Sequence, residues 1–291
     1  GCLGAAAALK NLDTDRPFQI VVYGTPAEET LGSKCDMIKK GCFHDLDVAF
    51  MMHGGPNTCT DVRCLAQRSF HVTFHGKRAH AALAPDKGRS AFDALLAAFQ
   101  GIEFLREHVP DDVRMHYTVA KLPGPANVVP AEAEGEFAIR SFSRKTLEGV
   151  CERFLDIIKG ASLIAGVDYE IKEGTFFFNK IPVLKLNELL MNNAKLAGAP
   201  QLAPPREKTG STDFGNVMYE IPGSCIRVAF VPEGTPSHSQ EFVDAGKTEA
   251  AHNCILYGAK AIAGASMDLI MTDGLMDQVK EEFAENKKKN Q

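Results

Sequence analysis

The sequence contains no tryptophan, so any aromatic platform for a substrate falls to its 18 Phe, its 5 Tyr or its histidines. It has no excess of basic charge. The 32 Lys and Arg are outnumbered by 37 Asp and Glu, for a formal net charge of −5, which argues against nucleic acid or an anionic membrane surface as the main partner. No apolar run approaches the roughly 18 residues of a membrane-spanning helix, so no membrane partner is expected. Neither a phosphate-cradling P-loop nor a dinucleotide-binding glycine pattern occurs, which removes nucleotide chemistry. Internal repeats and low-complexity segments are also lacking. The 8 cysteines form no C-x-x-C pair. They lie inside patterned segments, as Cys35 does in a helix and Cys225 in a strand, whereas disulfide frameworks belong mostly to short secreted chains. Reduced thiols in a cytoplasmic protein are the expectation. No cysteine sits in a strand-to-helix elbow with a histidine partner, which disfavours a cysteine nucleophile.

What is present is an ordinary globular composition of 291 residues, 45% hydrophobic and 24% charged, enough for two domains. The chain opens on GCLGAAAALK, a helical pattern without an N-cap or an initiator methionine, so residues upstream are expected to be missing. Residues 18–23 (FQIVVY) read as a buried strand ending at Gly24. Residues 31–40 are amphipathic and stop at Gly41. Residues 47–52 (DVAFMM) read as a second buried strand. Such alternation predicts a parallel α/β sheet. Near Arg68 the pattern changes. Strands are predicted over 69–75, 114–120, 133–141 and 167–177, with helices over 89–108 and 146–165. That order, β-α-β-β-α-β, is the ferredoxin-like unit. After Pro182 the α/β character returns, with a helix over 183–196, a buried strand over 225–230, a helix over 246–263 and a polar helix over 277–291. The predicted fold is an α/β domain in two pieces, 1–67 and 181–291, interrupted by a ferredoxin-like domain at 68–180.

Three segments at strand ends carry candidate chemistry. Ligands in open α/β sheets bind beyond the carboxyl ends of strands. In Gly24-Thr-Pro-Ala-Glu-Glu29, one of two adjacent carboxylates can ligate a metal while the other accepts a proton from metal-bound water; two glutamates at a helix N-terminus also simply favour the macrodipole. His53 follows the second strand and precedes Gly54-Gly55-Pro56. His238 lies in Gly234-Thr-Pro-Ser-His-Ser239, after another strand. Imidazole and carboxylate together suit zinc, or manganese where carboxylates dominate, although a lone loop histidine is more often simply an exposed polar residue. In the inserted domain, His80 of Gly76-Lys-Arg-Ala-His80, Asn127 of Gly124-Pro-Ala-Asn-Val-Val-Pro130 and Arg140 could orient an amide and grip a carboxylate; turn chemistry and a surface pair explain them as well. Residues 209–213 (TGSTD) read as a polar loop.

Taken in order, PAEE at 26–29, the strand ending in His53, GKRAH at 76–80, NVVP at 127–130, Arg140 and His238 resemble the metal-dependent aminoacylase and carboxypeptidase family. Within it they resemble the amidohydrolase branch that includes aminobenzoyl-glutamate hydrolase and the β-alanyl-dipeptide hydrolases. The resemblance covers residues 1–263. It implies a zinc-exopeptidase α/β domain with two divalent ions, zinc or manganese, and a ferredoxin-like lid that forms a homodimer. It further implies Glu28 as general base, Glu29 and His238 as ligands of one ion and His53 of the other. His80 would act in the partner's active site on the oxyanion, with Asn127 and Arg140 holding substrate. The family's first ligands, including the bridging one, lie before the position matching Gly1, so this chain by itself is expected to bind metal weakly. The activity implied is hydrolysis of an amide bond next to a free carboxylate, in N-acyl amino acids, aminobenzoyl-glutamate or dipeptides. The alternative is a truncated non-catalytic homologue serving as a dimerisation or ligand-binding module.

Overall fold

Two different hydrophobic periods along the chain become two separate units in the computed structural model, which describes residues 1–290. One unit is Gly1–Cys64 with Lys180–Gln291, and the other is Leu65–Asn179. The first segment holds α1 (Cys2–Leu9), α2 (Ser33–Lys39), β1 (Ala49–Gly55) and β2 (Cys59–Thr60). The inserted unit holds β3 (Ala66–His75), α3 (Ala91–Arg106), β4 (Arg114–Lys121), β5 (Glu132–Ser141), α4 (Arg144–Ala165) and β6 (Asp168–Phe177). The last segment holds α5 (Leu184–Leu196), α6 (Phe214–Glu220), β7 (Gly223–Ala229), α7 (Gln240–Ala245), α8 (Glu249–Met271) and α9 (Leu275–Asn290).

In the inserted unit, period-two alternation sends every second residue of β3 and β5 inward. Phe70, Val72 and Phe74 are buried from β3, and Phe137 and Ile139 from β5. Phe70 and Phe137 stand opposite each other in the antiparallel ladder. The helices that cover them start at serine caps: Ser90 Oγ accepts from Asp93 N at 3.1 Å and Ser143 Oγ from Thr146 N at 3.2 Å. Phe154 of α4 closes the core against Phe70 and Phe137, with ring centroids 4.8 and 5.1 Å away. Each such buried side chain contributes about 1.5–3 kcal/mol. The strand order β4-β5-β3-β6 is that of a ferredoxin-like sheet, as the element order predicts.

The other unit is built on a three-stranded sheet of order β1-β7-β2, with β1 parallel and β2 antiparallel to β7. β7 is central and buried throughout except at Arg227. It packs against α5 and α8, and α1 lies on α8. Several expectations need correction here. Residues 18–23 form no strand. Among the described residues their backbone pairs with nothing, and Phe18, Ile20, Val21 and Val22 are between 37% and 40% exposed. An apolar run is a buried strand only where a neighbour offers a ladder, and β1 pairs with β7 alone. β1 itself is half-buried rather than buried and continues through Gly55, so His53, Gly54 and Gly55 are ladder residues, not a glycine-rich turn. The helix predicted over 246–263 begins after the Thr248 cap and runs to Met271, while Gly246 closes the unforeseen α7. Contrary to the expectation of no such segment, α8 is long and apolar enough in composition to cross a membrane; it buries Ala251, Cys254, Ala261 and Ala265 as a core helix does. Of the helix predicted over 277–291, Gln291 lies outside the described residues.

Candidate functional site

Glu28 and Glu29 occupy a turn rather than a helix N-terminus. Ala27 O accepts from the amides of Thr30, Leu31 and Gly32, and α2 begins only at Ser33. Glu28 is half-buried and Glu29 exposed. Ala27 has φ 60, left-handed for a residue with a Cβ. His238 has φ 63 and directly precedes Ser239, whose Oγ caps α7 by accepting from Phe242 N at 3.2 Å. Such conformations cost about 1–3 kcal/mol each and gather at functional sites. Gln201, with φ 50, is the third described non-glycine residue of this kind.

His53 stands level with Arg227 in the parallel ladder. Its Nδ1 lies 3.0 Å from Arg227 Nη1 and 2.5 Å from Gly54 O. The residue is exposed. Desolvation, then the Arg227 guanidinium, hold its pKa below the ordinary imidazole value, although the Gly54 carbonyl, Asp61 and Glu28 act in the opposite sense. Glu28 and His53 are thus within electrostatic reach of each other.

Behind Arg227 is a buried ionic cluster that sequence patterns do not reveal. Asp61 receives Lys180 Nζ on Oδ2 at 2.9 Å and Arg227 Nε on Oδ1 at 3.0 Å; Arg206 Nε lies 3.9 Å from Oδ1. The side chains of Asp61 and Lys180 are 1% and 2% exposed. Burial alone would raise the Asp61 pKa, but Lys180 and Arg227 outweigh it and hold the carboxyl below its usual range. A second buried pair joins Lys34 Nζ to Asp213 Oδ1 at 2.8 Å. Asp213, expected in a polar loop, is therefore an interior anchor between α2 and α6. The signal that could have marked the first cluster is a charged residue inside an apolar run, as Arg227 is in CIRVAF.

Among the described residues no group of three or more His, Cys, Asp or Glu side chains is arranged to hold a metal ion, so Glu29, His53 and His238 form no such set. Three of the buried or half-buried cysteines are held as thiols. Burial pushes Cys35 and Cys225 up to about 11 and Cys151 to about 12, and it is the thiolate that reacts.

In the inserted unit the structure joins two of the three expected residues. His80 bridges to Val128, and Ala81 N donates to Asn127 O at 3.0 Å. His80 Nδ1 accepts from the amides of Ala82 and Leu83, both at 3.3 Å, which orients the exposed ring. Gly76 makes this loop possible, because a Cβ there would lie 2.1 Å from Arg89 O. Arg140 is elsewhere. It pairs with Gln67 near the far end of β5, and the strand from Glu132 to Arg140 covers roughly 27 Å at about 3.4 Å per residue. Its Nε is buried without a hydrogen-bond partner.

Comparison with known proteins gives consistent results. Residues 67–163 match the peptidase dimerisation domain of the M20 family. The chain is 30% identical over 285 residues to the Xaa-Arg dipeptidase of Mus musculus, covering 97% of this chain and 66% of that enzyme. It is 27% identical over 322 residues to a p-aminobenzoyl-glutamate hydrolase subunit of Escherichia coli, over 89% of this chain and 66% of that subunit. The chain therefore spans just under two thirds of these relatives. Among solved structures, a dinuclear metal-binding M20 peptidase of Bacillus subtilis has a TM-score of 0.62 at 17% identity, covering 85% of this chain and 64% of that one. An aminobenzoyl-glutamate utilization protein of Klebsiella pneumoniae has a TM-score of 0.60 at 20% identity, over 80% and 57% of the two chains.

Proposed function

We propose that this chain, which belongs to the metal-dependent aminoacylase and carboxypeptidase family, is an amidohydrolase that cleaves an amide bond next to a free carboxylate. The substrate classes are N-acyl amino acids, aminobenzoyl-glutamate and dipeptides. The observation that carries the reading is the likeness to a dipeptidase along 97% of the chain. The left-handed residues Ala27 and His238, at two of the loops singled out by motif, support it. Glu28 takes a proton from the attacking water and returns it to the leaving amine. The two ions that the family implies, zinc or manganese, find no three-residue ligand set among the described residues, and His53 faces a guanidinium. No step here is therefore assigned to a metal.

The inserted unit acts as the dimerising lid. Its two ends, roughly 27 Å apart by strand length, serve different sites. His80 and Asn127 at one end reach the partner subunit's site, and Arg140 at the other grips the substrate carboxylate. The test is a hydrolysis panel of these three substrate classes. Glu28→Gln is expected to lower kcat about 10²- to 10⁴-fold with KM little changed. Mixing inactive His80→Ala and Glu28→Gln chains should restore part of the activity, because a mixed dimer holds one site with both residues intact. A wild-type chain inert on all three classes with zinc or manganese in excess rejects the activity. A dead mixture that demonstrably exchanges subunits rejects the role of His80 across the dimer.

A further inference from the structure

We infer that the open face of the inserted sheet carries a binding site for a zwitterion the size of a dipeptide, held by Glu136 at its ammonium end and by Lys172 at its carboxylate end. The alternation that buries Phe70, Val72 and Phe74 in the core turns His71 to the opposite face of the sheet. His71 stands level with Glu136 of β5 on one side and with Lys172 of β6 on the other, and residues directly opposite one another share a face. Glu136 is in turn level with Thr118 of β4, and His116 is level with Ala138. These side chains border one depression of about 710 Å³ that crosses all four strands. Small-molecule sites measure about 300–1,000 Å³.

A break in the ladder shapes the depression. Between Arg68 and Phe70 the pairing of β3 with β6 slips, so that Gly174 and Thr175 oppose Ser69 alone. Such a bulge bends its strand and is over-represented beside functional sites. Ser69 Oγ accepts from Thr175 N at 2.9 Å, which answers the amide that the ladder leaves over. Gly174 leaves room for that hydroxyl, because a Cβ there would lie 2.3 Å from it. Ser69 and Gly174 both line the depression, and glycine inside a strand marks places where another group approaches the backbone closely.

The charges on this face are unequally matched. His71 Nε2 lies 3.1 Å from Glu134 Oε2, and Lys121 Nζ lies 2.5 Å from Glu132 Oε1 and 3.3 Å from Glu134 Oε1. Among the described residues, the side chains of Glu136, Lys172, His116 and Thr118 have no hydrogen-bond or ion-pair partner. Glu136 and Lys172 are two strand spacings apart, about 9.5 Å between Cα atoms, with His71 between them. A ligand that joins them carries a cation and an anion several ångströms apart. An extended dipeptide spans about 7 Å, and a single amino acid about half of that. His116 and Thr118 supply hydrogen-bonding groups for the amide between the two charges. No residue assigned to the proposed hydrolysis lines this depression, so binding here and hydrolysis can each fail alone.

Calorimetric titration of the whole chain with glycylglycine tests the site, in EDTA so that no turnover intervenes. Saturable binding is expected, and the amide signals of Ser69 and Gly174 should move with it in ¹H–¹⁵N NMR. Lys172→Met and Glu136→Gln, both at exposed positions, should each weaken binding about 10- to 100-fold. N-acetylation of the dipeptide removes its ammonium; it should weaken binding to the wild type by a similar factor and leave the affinity of the Glu136→Gln chain little changed. The absence of saturation by about 10 mM overturns the inference. So does unchanged affinity in either variant, glycine binding as tightly as the dipeptide, or amide shifts that leave Ser69 and Gly174 untouched.

Discussion

Inside the inserted unit, Phe70, Phe137 and Phe154 meet ring to ring and its buried polar residues are Ser141, Ser162 and Asn179, all uncharged. Inside the other unit, Lys34, Asp61, Lys180 and Asp213 are all buried. Apolar packing is non-directional, roughly additive in area and indifferent to pH. A buried ion pair is directional. It adds little net stability when intact but costs much when one partner is lost, because the other charge stays behind without compensation. The apolar unit has the interior of a scaffold. The charged unit has an interior whose geometry depends on every member being present, and its cluster borders a residue singled out for chemistry.

The largest expected effect breaks that charged interior. Asp61→Ala strands Lys180 and should cost about 3–5 kcal/mol at neutral pH. Phe154→Ala in the inserted unit should cost a similar 3–5 kcal/mol or so. Urea unfolding followed unit by unit would test both, and a loss under about 1 kcal/mol for Asp61→Ala would remove the distinction between the two interiors.

Acid should separate the units next. The folded Asp61 pKa lies below its ordinary value of 3.8. A group depressed on folding contributes stability that is complete above the unfolded value and is lost as the pH falls through the folded one. The unit carrying Asp61 should therefore lose protection first as the pH drops below about 4, whereas Phe154→Ala should cost the same on both sides of that range. Glu103 in the inserted unit is held at about 2 by hydrogen bonds from Arg106 and Tyr117, but it is exposed and solvent screens its contribution. Hydrogen exchange by mass spectrometry gives the order directly, and simultaneous loss in both units would contradict it.

The smallest effect sharpens the picture on the apolar side. Ser143→Ala removes the cap of α4 and should cost about 1 kcal/mol, read as a lower urea midpoint for the inserted unit with the other unit unchanged. A shift in both would mean that the two interiors are not energetically separate.

The same contrast explains what could be read from the chain. Alternation over residues 69–75 and 133–141, the long helical patterns between them and the order of the elements are local signals, and they carried the ferredoxin-like unit. Asp61 and Lys180 are 119 positions apart, and Lys34 and Asp213 are 179 apart. No short-range period encodes such a pairing, so Asp213 read as a loop residue and Arg227 as part of an apolar run. The reading of residues 18–23 erred for a related reason, since apolarity says that a segment favours burial but not that a partner strand is there. Among the site residues, motif order singled out Glu28, His53, His80, Asn127 and His238 individually. Whether they meet depends on strand register and side-chain partners, and the partner of His53, an arginine level with it on β7, comes from far along the chain.

The order β1-β7-β2 also has a consequence in time. The two outer strands of this sheet are made before the inserted unit, and the central strand after it. A ribosome adding about 5–20 residues per second leaves β1 and β2 without their shared neighbour for something like ten seconds, while β3 to β6 emerge and can pair with one another at once. The inserted unit can therefore finish folding while the earlier strands still wait, and the α/β sheet closes last, from its middle.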